Sequence, residues 1–110
     1  MPHFSMPDLI PIRYPFSDLS SSKVRPAVVV NVPHISHDLL IVPLTSRTTG
    51  LLPGEFVLSA WQEAGLNLPT AAKRGLYTIE DTLTIKHLGQ LKKVDVVQLE
   101  QSLRLWLGLP

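Results

Sequence analysis

The chain predicts a mainly β, α+β fold: a small, partly open barrel of short strands with a C-terminal α-helix. Three observations predict it. The ten Pro and six Gly of the 110 residues fall mostly in the first two-thirds, and the pieces between them are β-branched or alternating, as in short strands joined by turns. In the last stretch the period changes: Val96, Leu99, Leu103 and Leu107 follow one another at spacings of three, four and four, which is one stripe of a helix ended by Gly108. Five or six short strands in so short a chain bend toward closure, because strand twist and the need to protect edges both favour it.

The elements follow in order. Asp8 to Tyr14 carries Pro11 inside it, which predicts an edge strand or a bulge. Residues 15–24 form a polar, turn-rich loop. Arg25 to Val32 is almost continuous in valine, as expected of a strand buried on both faces. Leu39 to Leu44 is a third strand and Glu55 to Leu58 a fourth. Ser59 to Ala64 predicts a brief helical turn with Ser59 as its N-cap. Thr70 to Ile79 and Leu83 to Leu88 complete the strands before the helix.

Composition bounds the function. At this length folding removes roughly two-thirds of the chain's surface from water, enough for one core but marginal for two, so a single domain over 1–110 is expected. Hydrophobic residues make up 45% and charged residues 17%, with a mean hydropathy of +0.18. That excludes intrinsic disorder. Having no Cys excludes disulfide scaffolds, cysteine catalysis and thiolate zinc sites. No apolar stretch approaches the roughly 20 residues of a spanning helix, and no leader pattern opens the chain, so the expected location is the cytoplasm and no membrane partner is expected. A net charge of +1 with a pI near 8.1 argues against gripping duplex DNA by bulk charge. Any phosphate contact must come from a local cluster.

Two loops concentrate polar groups beside buried strands: Ser20 to Pro26, and Pro43 to Thr49. An Arg at the start of a buried valine strand is costly without an anionic partner, and Pro26 holds the backbone before it extended, so Arg25 is presented rigidly. Its planar fork matches a phosphate and can neutralise charge developing on a pentacoordinate phosphorus. Thr45 follows an apolar run and emerges beside the strand that starts at Arg25, where its hydroxyl can orient a phosphate oxygen or a ribose 2′-OH. Neither role needs a metal or cofactor. Each residue also has a structural reading, as a surface ion pair for Arg25 and a turn former for Thr45. His34 and His37 sit three apart in a loop; only Asp38 nearby supports a metal role, so they read as solvated. Lys92 and Lys93 read as a solvated helix entry, and Trp61 and Trp106 as core or partner-facing groups. Glu80 and Asp81 would point to opposite faces of a strand and share no acid–base site.

The order of segments carries a resemblance. Pro-Phe-Ser-Asp-Leu at 15–19, Lys-Val-Arg-Pro-Ala-Val-Val-Val at 23–30, Ile-Val-Pro-Leu-Thr-Ser at 41–46, Gly-Leu at 65–66 before Pro-Thr at 69–70, and Leu-Gly-Gln-Leu at 88–91 before a terminal helix resemble the PemK/MazF toxin family. The resemblance runs from about residue 7 to 108. It implies an SH3-like barrel acting as a homodimer, with metal-free endoribonuclease activity on single-stranded RNA, mRNA included. It also implies control by a cognate antitoxin in a type II toxin–antitoxin system, with DNA engaged only through that antitoxin. By the same resemblance Arg25 and Thr45 are the catalytic residues. Arg25 serves proton transfer and phosphorane stabilisation, and Thr45 positions the phosphate as the ribose 2′-OH attacks it. Lys23, Ser46, Arg47, Lys73 and Arg74 would bind RNA. The sequence departs from the family pattern at Pro7-Asp8, where Gly-Asp is common, and at Lys73-Arg74-Gly75, where some relatives carry Arg-x-Asp. That missing acid keeps open a catalytically weakened module that binds nucleic acid or antitoxin.

Overall fold

A computed structural model describes residues 4–13, 24–80 and 86–110. Its strands are β1 (Asp8–Arg13), β2 (Val24–Val29), β3 (Asp38–Thr45), β4 (Phe56–Val57), β5 (Ala71–Ala72), β6 (Tyr77–Glu80) and β7 (Gly89–Gln90), followed by helix α1 (Lys93–Leu107). They form one antiparallel sheet in the order β4-β5-β3-β2-β1-β7, with β6 also paired to β3. The sheet curls into a half-barrel beside the single C-terminal helix, as expected from the sequence.

The valine run of β2 is explained by two apolar faces, although the strand stops at Val29 and not at the expected Val32, which is exposed. Val28 packs with Leu9, Val42, Leu44, Leu58 and Leu99 on one side. Its neighbours Ala27 and Val29 pack with Ile10, Ile12, Leu39 and Ile41 on the other. Alternation along a strand sends successive side chains to opposite faces, so a strand buried on both sides needs apolar residues at every position. Each large aliphatic side chain buried here contributes about 1.5–3 kcal/mol.

Strand β3 changes partner along its length. Asp38 to Ile41 pair with β6, whereas Leu44 and Thr45 pair with β5. Pro43 lies between and has no N–H, so a continuous ladder cannot run past it. This corrects the expected single strand from Thr70 to Ile79: it is two strands separated by Lys73–Leu76, with the Lys73 N–H bonded to the Pro43 carbonyl at 2.9 Å. The first strand also differs from expectation. β1 lies between β2 and β7, yet β7 reaches only Asp8 and Leu9, so Pro11 stands beyond it, opposite Pro26. Neither proline can donate, and facing each other they cost the ladder no bond.

Ladder pairing of the fourth strand is confined to Phe56–Val57, although the Leu58 N–H continues to the Thr70 carbonyl at 2.9 Å. Residues 83–85 of the sixth expected strand lie outside the described residues; after them the ladder starts only at Gly89.

Helix α1 buries Asp95, Leu99 and Ser102. Of the predicted stripe, Leu99 is fully buried, Val96 and Leu103 pack partly against the first core, and Leu107 is exposed. Gly108 stops the helix as expected. At φ 68° it is left-handed, its N–H reaching the Leu105 carbonyl and that of Leu109 the Arg104 carbonyl. Asp95 accounts for the Ser59 correction. The backbone N–H groups of Ser59 and Ala60 donate to its two carboxylate oxygens at 2.8 and 2.9 Å, so the turn over 59–65 is capped from the helix and not by Ser59. Further along the helix, the Ser102 hydroxyl lies 2.6 Å from the Gly54 carbonyl, and Trp106 Nε1 donates to the Pro53 carbonyl at 2.9 Å. Trp61 packs half-buried on the same core. Among the described residues no helix is long and apolar enough to cross a membrane.

Candidate active site

Arg25 and Thr45 stand at the same end of neighbouring strands. The β2–β3 register pairs Val28 with Val42 and Ala27 with Pro43. The ladder ends at that second pair, so Arg25 and Thr45 lie two residues past its end on the two neighbouring strands. On its other side Arg25 faces Ile12, and Thr45 faces Ala71. Both strands run to the same end of the sheet because the apolar pairing deeper in them fixes their register, and that brings Arg25 and Thr45 to one strand end. Arg25 is half-buried, and among the described residues no carboxylate pairs with it.

Two clefts flank this strand end. On the Thr45 side a cavity of about 210 Å³ is lined by Thr45, Arg47, Lys73, Glu55, Leu52 and Gly50. The Thr45 hydroxyl accepts the Arg47 backbone N–H at 3.1 Å, which leaves its own proton to be donated into the cleft. The Arg47 guanidinium is steadied by an Nε–H bond to the Thr49 carbonyl at 3.2 Å. Glu55 accepts the Leu52 N–H on one oxygen at 2.7 Å and the Arg74 N–H on the other at 2.8 Å. Burial alone would raise its pKa. The two backbone donors, with the charges of Lys73 and Arg47, outweigh that and hold it below the usual glutamate range.

On the Arg25 side a groove of about 310 Å³ runs along Arg25, Pro26, Ser46 and Thr70, walled by Leu44, Leu66, Asn67, Leu68 and Leu88. Gly65 and Gly89 set that wall. A side chain on Gly65 would come 2.6 Å from the Leu88 carbonyl oxygen, and one on Gly89 would land on the Ala64 carbonyl, so the 60–65 turn lies directly on β7.

The predicted RNA-contact residues therefore divide. Arg47 and Lys73 join Thr45, and Ser46 joins Arg25. Arg74 shares only its backbone with the Thr45 cleft; its side chain lines a separate hollow with Leu76, Leu103 and Trp106. Lys23, the loop motif at 15–19 and Asp81 lie outside the described residues. His34 and His37 are exposed, His34 Nδ1 being engaged by Ser36 at 2.8 Å, and Lys92 and Lys93 are solvated. Among the described residues no group of three or more His, Asp or Glu is placed to hold a metal ion. Sequence reasoning missed Glu55, which read as the polar start of a strand, and the Leu66-Asn67-Leu68 wall, which no local pattern marks.

Residues 10–107 match the family described as PemK-like, MazF-like toxin of type II toxin–antitoxin system. No curated protein matches the chain by sequence. Among solved structures, the Mycobacterium tuberculosis toxin MazF-mt6 is similar at 22% identity and TM-score 0.70, covering 94% of this chain and 98% of its own. A MazE–MazF structure from Deinococcus radiodurans is similar at 17% identity and TM-score 0.79 over 100% of both chains. An endoribonuclease from a mycobacterial species, in complex with its cognate antitoxin, has 17% identity and TM-score 0.76, covering 100% of this chain and 98% of its own. At these identities the structures establish the shared fold. Since the family match spans nearly the whole sequence, the chain belongs to the PemK-like, MazF-like toxins of type II toxin–antitoxin systems.

Proposed function

We propose that the protein is a metal-independent endoribonuclease that cuts single-stranded RNA, mRNA included, acting in the cytoplasm as a homodimer restrained by a cognate antitoxin. The observation that supports this is a half-buried Arg25, without a carboxylate partner among the described residues, at the same end of neighbouring strands as Thr45. A half-buried guanidinium held on rigid strand ends suits an anion that arrives with the substrate.

In this reading the ribose 2′-oxygen attacks the adjacent phosphorus, and the bond to the 5′-oxygen breaks. A cyclic phosphate and a free 5′-OH result, the 2′-OH proton being lost and the 5′-oxygen gaining one. Arg25 neutralises the charge on the pentacoordinate phosphorus, and the Thr45 hydroxyl donates to a phosphate oxygen and fixes its orientation. Arg47 and Lys73 take the backbone on the Thr45 side. The apolar groove beside Arg25 suits an unstacked base, with the exposed Asn67 amide to read its edge.

Purified protein incubated with a long RNA in EDTA tests this, with the fragment ends mapped. Discrete cuts bearing cyclic phosphates are expected, falling about a thousandfold in rate in Arg25→Ala and less in Thr45→Ala. Light scattering on the same sample is expected to give a dimer mass. Uncut RNA at high protein concentration would refute the enzyme and leave a nucleic-acid or antitoxin-binding module; a monomer mass would refute the homodimer.

A further inference from the structure

The Thr45 cleft holds a carboxylate that the reaction above does not use. Glu55 stands just before β4, 19 residues from Arg74 in sequence, and makes three bonds, two within its own loop and one to a separate segment. Its backbone N–H donates to the Leu52 carbonyl at 2.9 Å while its Oε1 accepts the Leu52 N–H at 2.7 Å, closing the end of the 46–55 loop on itself. Its Oε2 takes the Arg74 N–H at 2.8 Å, one residue after Lys73 is tied to the Pro43 carbonyl. The loop that carries Arg47 and the step that carries Lys73 thus meet at one side chain.

We infer that Glu55 is a positioning residue: its carboxylate clamps the Arg47-bearing loop to the Lys73–Arg74 step and so holds the basic wall of the cleft in register with Thr45. The inference rests on the ribonuclease reading. A general-base role is disfavoured by the geometry, since both oxygens already accept backbone N–H groups and the cations beside the carboxylate, Lys73 and Arg47, keep it ionised and weakly basic. A fixed negative charge would weaken RNA binding if charge were its whole contribution. What it supplies is a tie just past the end of the β4–β5 ladder, where the pairing of Phe56 with Ala72 stops and the 46–55 loop and the Lys73–Arg74 step would otherwise diverge; misplacing such a wall by about an ångström costs turnover more than affinity.

Glu55→Gln tests this, because the amide keeps the shape, loses the charge and can accept only one of the two N–H groups. The expected result is a kcat about tenfold or more below the parent, with affinity for an RNA carrying a 2′-deoxyribose at the cut site unchanged or tighter. A kcat within about twofold of the parent, measured well below the variant's Tm, would overturn it. A second measurement needs no variant: in the parent, the amide resonances of Leu52 and Arg74 are expected to shift together as Glu55 titrates, below the usual glutamate range. Two amides that ignore that titration would also overturn it. Were the parent to cut no RNA, the ribonuclease reading would fall while the amide titration still decided whether the clamp exists.

Discussion

The two clefts beside the Arg25–Thr45 strand end are built on opposite principles. The Thr45 cleft is charged, with Arg47, Lys73 and Glu55 in its lining, and hung on side chains: Thr45 holds the Arg47 amide, Arg47 holds Thr49, and Glu55 holds Leu52 and Arg74. The Arg25 groove is largely apolar and set by backbone contact, with the 60–65 turn resting on β7 where Gly65 and Gly89 leave room for no side chain. The first is adjustable one residue at a time, whereas the second moves only if a turn moves. That contrast fits a site whose phosphate-facing side depends on charge placement and whose base-facing side depends on shape.

Three changes test the contrast. The largest effect is expected from Gly89→Ala, whose added carbon would collide with the Ala64 carbonyl and push the turn off β7. We expect a loss of about 3 kcal/mol in denaturant unfolding, together with an altered cleavage pattern because the apolar wall moves. Stability within about 0.5 kcal/mol of the parent would show that the wall yields and the contrast is false.

Lys73→Ala is expected to act on the other side alone. RNA affinity should drop severalfold at physiological salt, and the slope of log affinity against log salt should become shallower by about 0.7, with the cut sequence unchanged. A shifted cut sequence would instead place Lys73 among the base readers.

The smallest effect concerns the strand that leads out of the apolar wall. Asp8 accepts the Ser5 N–H, the Gln90 amide and His87 Nε2 at 3.0, 2.9 and 3.1 Å, pinning β1 to β7. Burial raises its pKa, but these donors together lower it below the ordinary value of 3.8. A carboxylate whose folded pKa is depressed contributes its full stability above the unfolded pKa, and loses it as pH falls through the folded one. Asp8→Asn should therefore cost about 1 kcal/mol at neutral pH and nothing once Asp8 is protonated in the parent. Equal costs at both ends of an acid titration would show that shape, not charge, does the pinning.

How much of this was legible in the sequence depends on how local the cause is. β2 and the helix stop were plain, because an unbroken valine run and a glycine after a periodic stripe act within a few residues of themselves. The common position of Arg25 and Thr45 was half legible: each marks the end of a strand, and only the pairing of β2 with β3 shows that both ends lie on the same side of the sheet. The break between β5 and β6 was not, since its cause is Pro43 on another strand. Glu55 and the Leu66–Leu68 wall were invisible for the same reason, their partners lying 19 or more residues away in the case of Arg74 and across the turn in the case of Leu88.

Helix α1 bears on the order in which the chain becomes functional. Ser59 and Ala60 wait for Asp95, 36 and 35 residues later, Gly54 for Ser102, 48 residues later, and Pro53 for Trp106, 53 residues later. On a ribosome adding about 5–20 residues per second, the segment that carries Glu55 emerges seconds before the groups that satisfy its backbone. Contacts so distant form late. The backbone on either side of Glu55 is then satisfied only once the helix has emerged and docked.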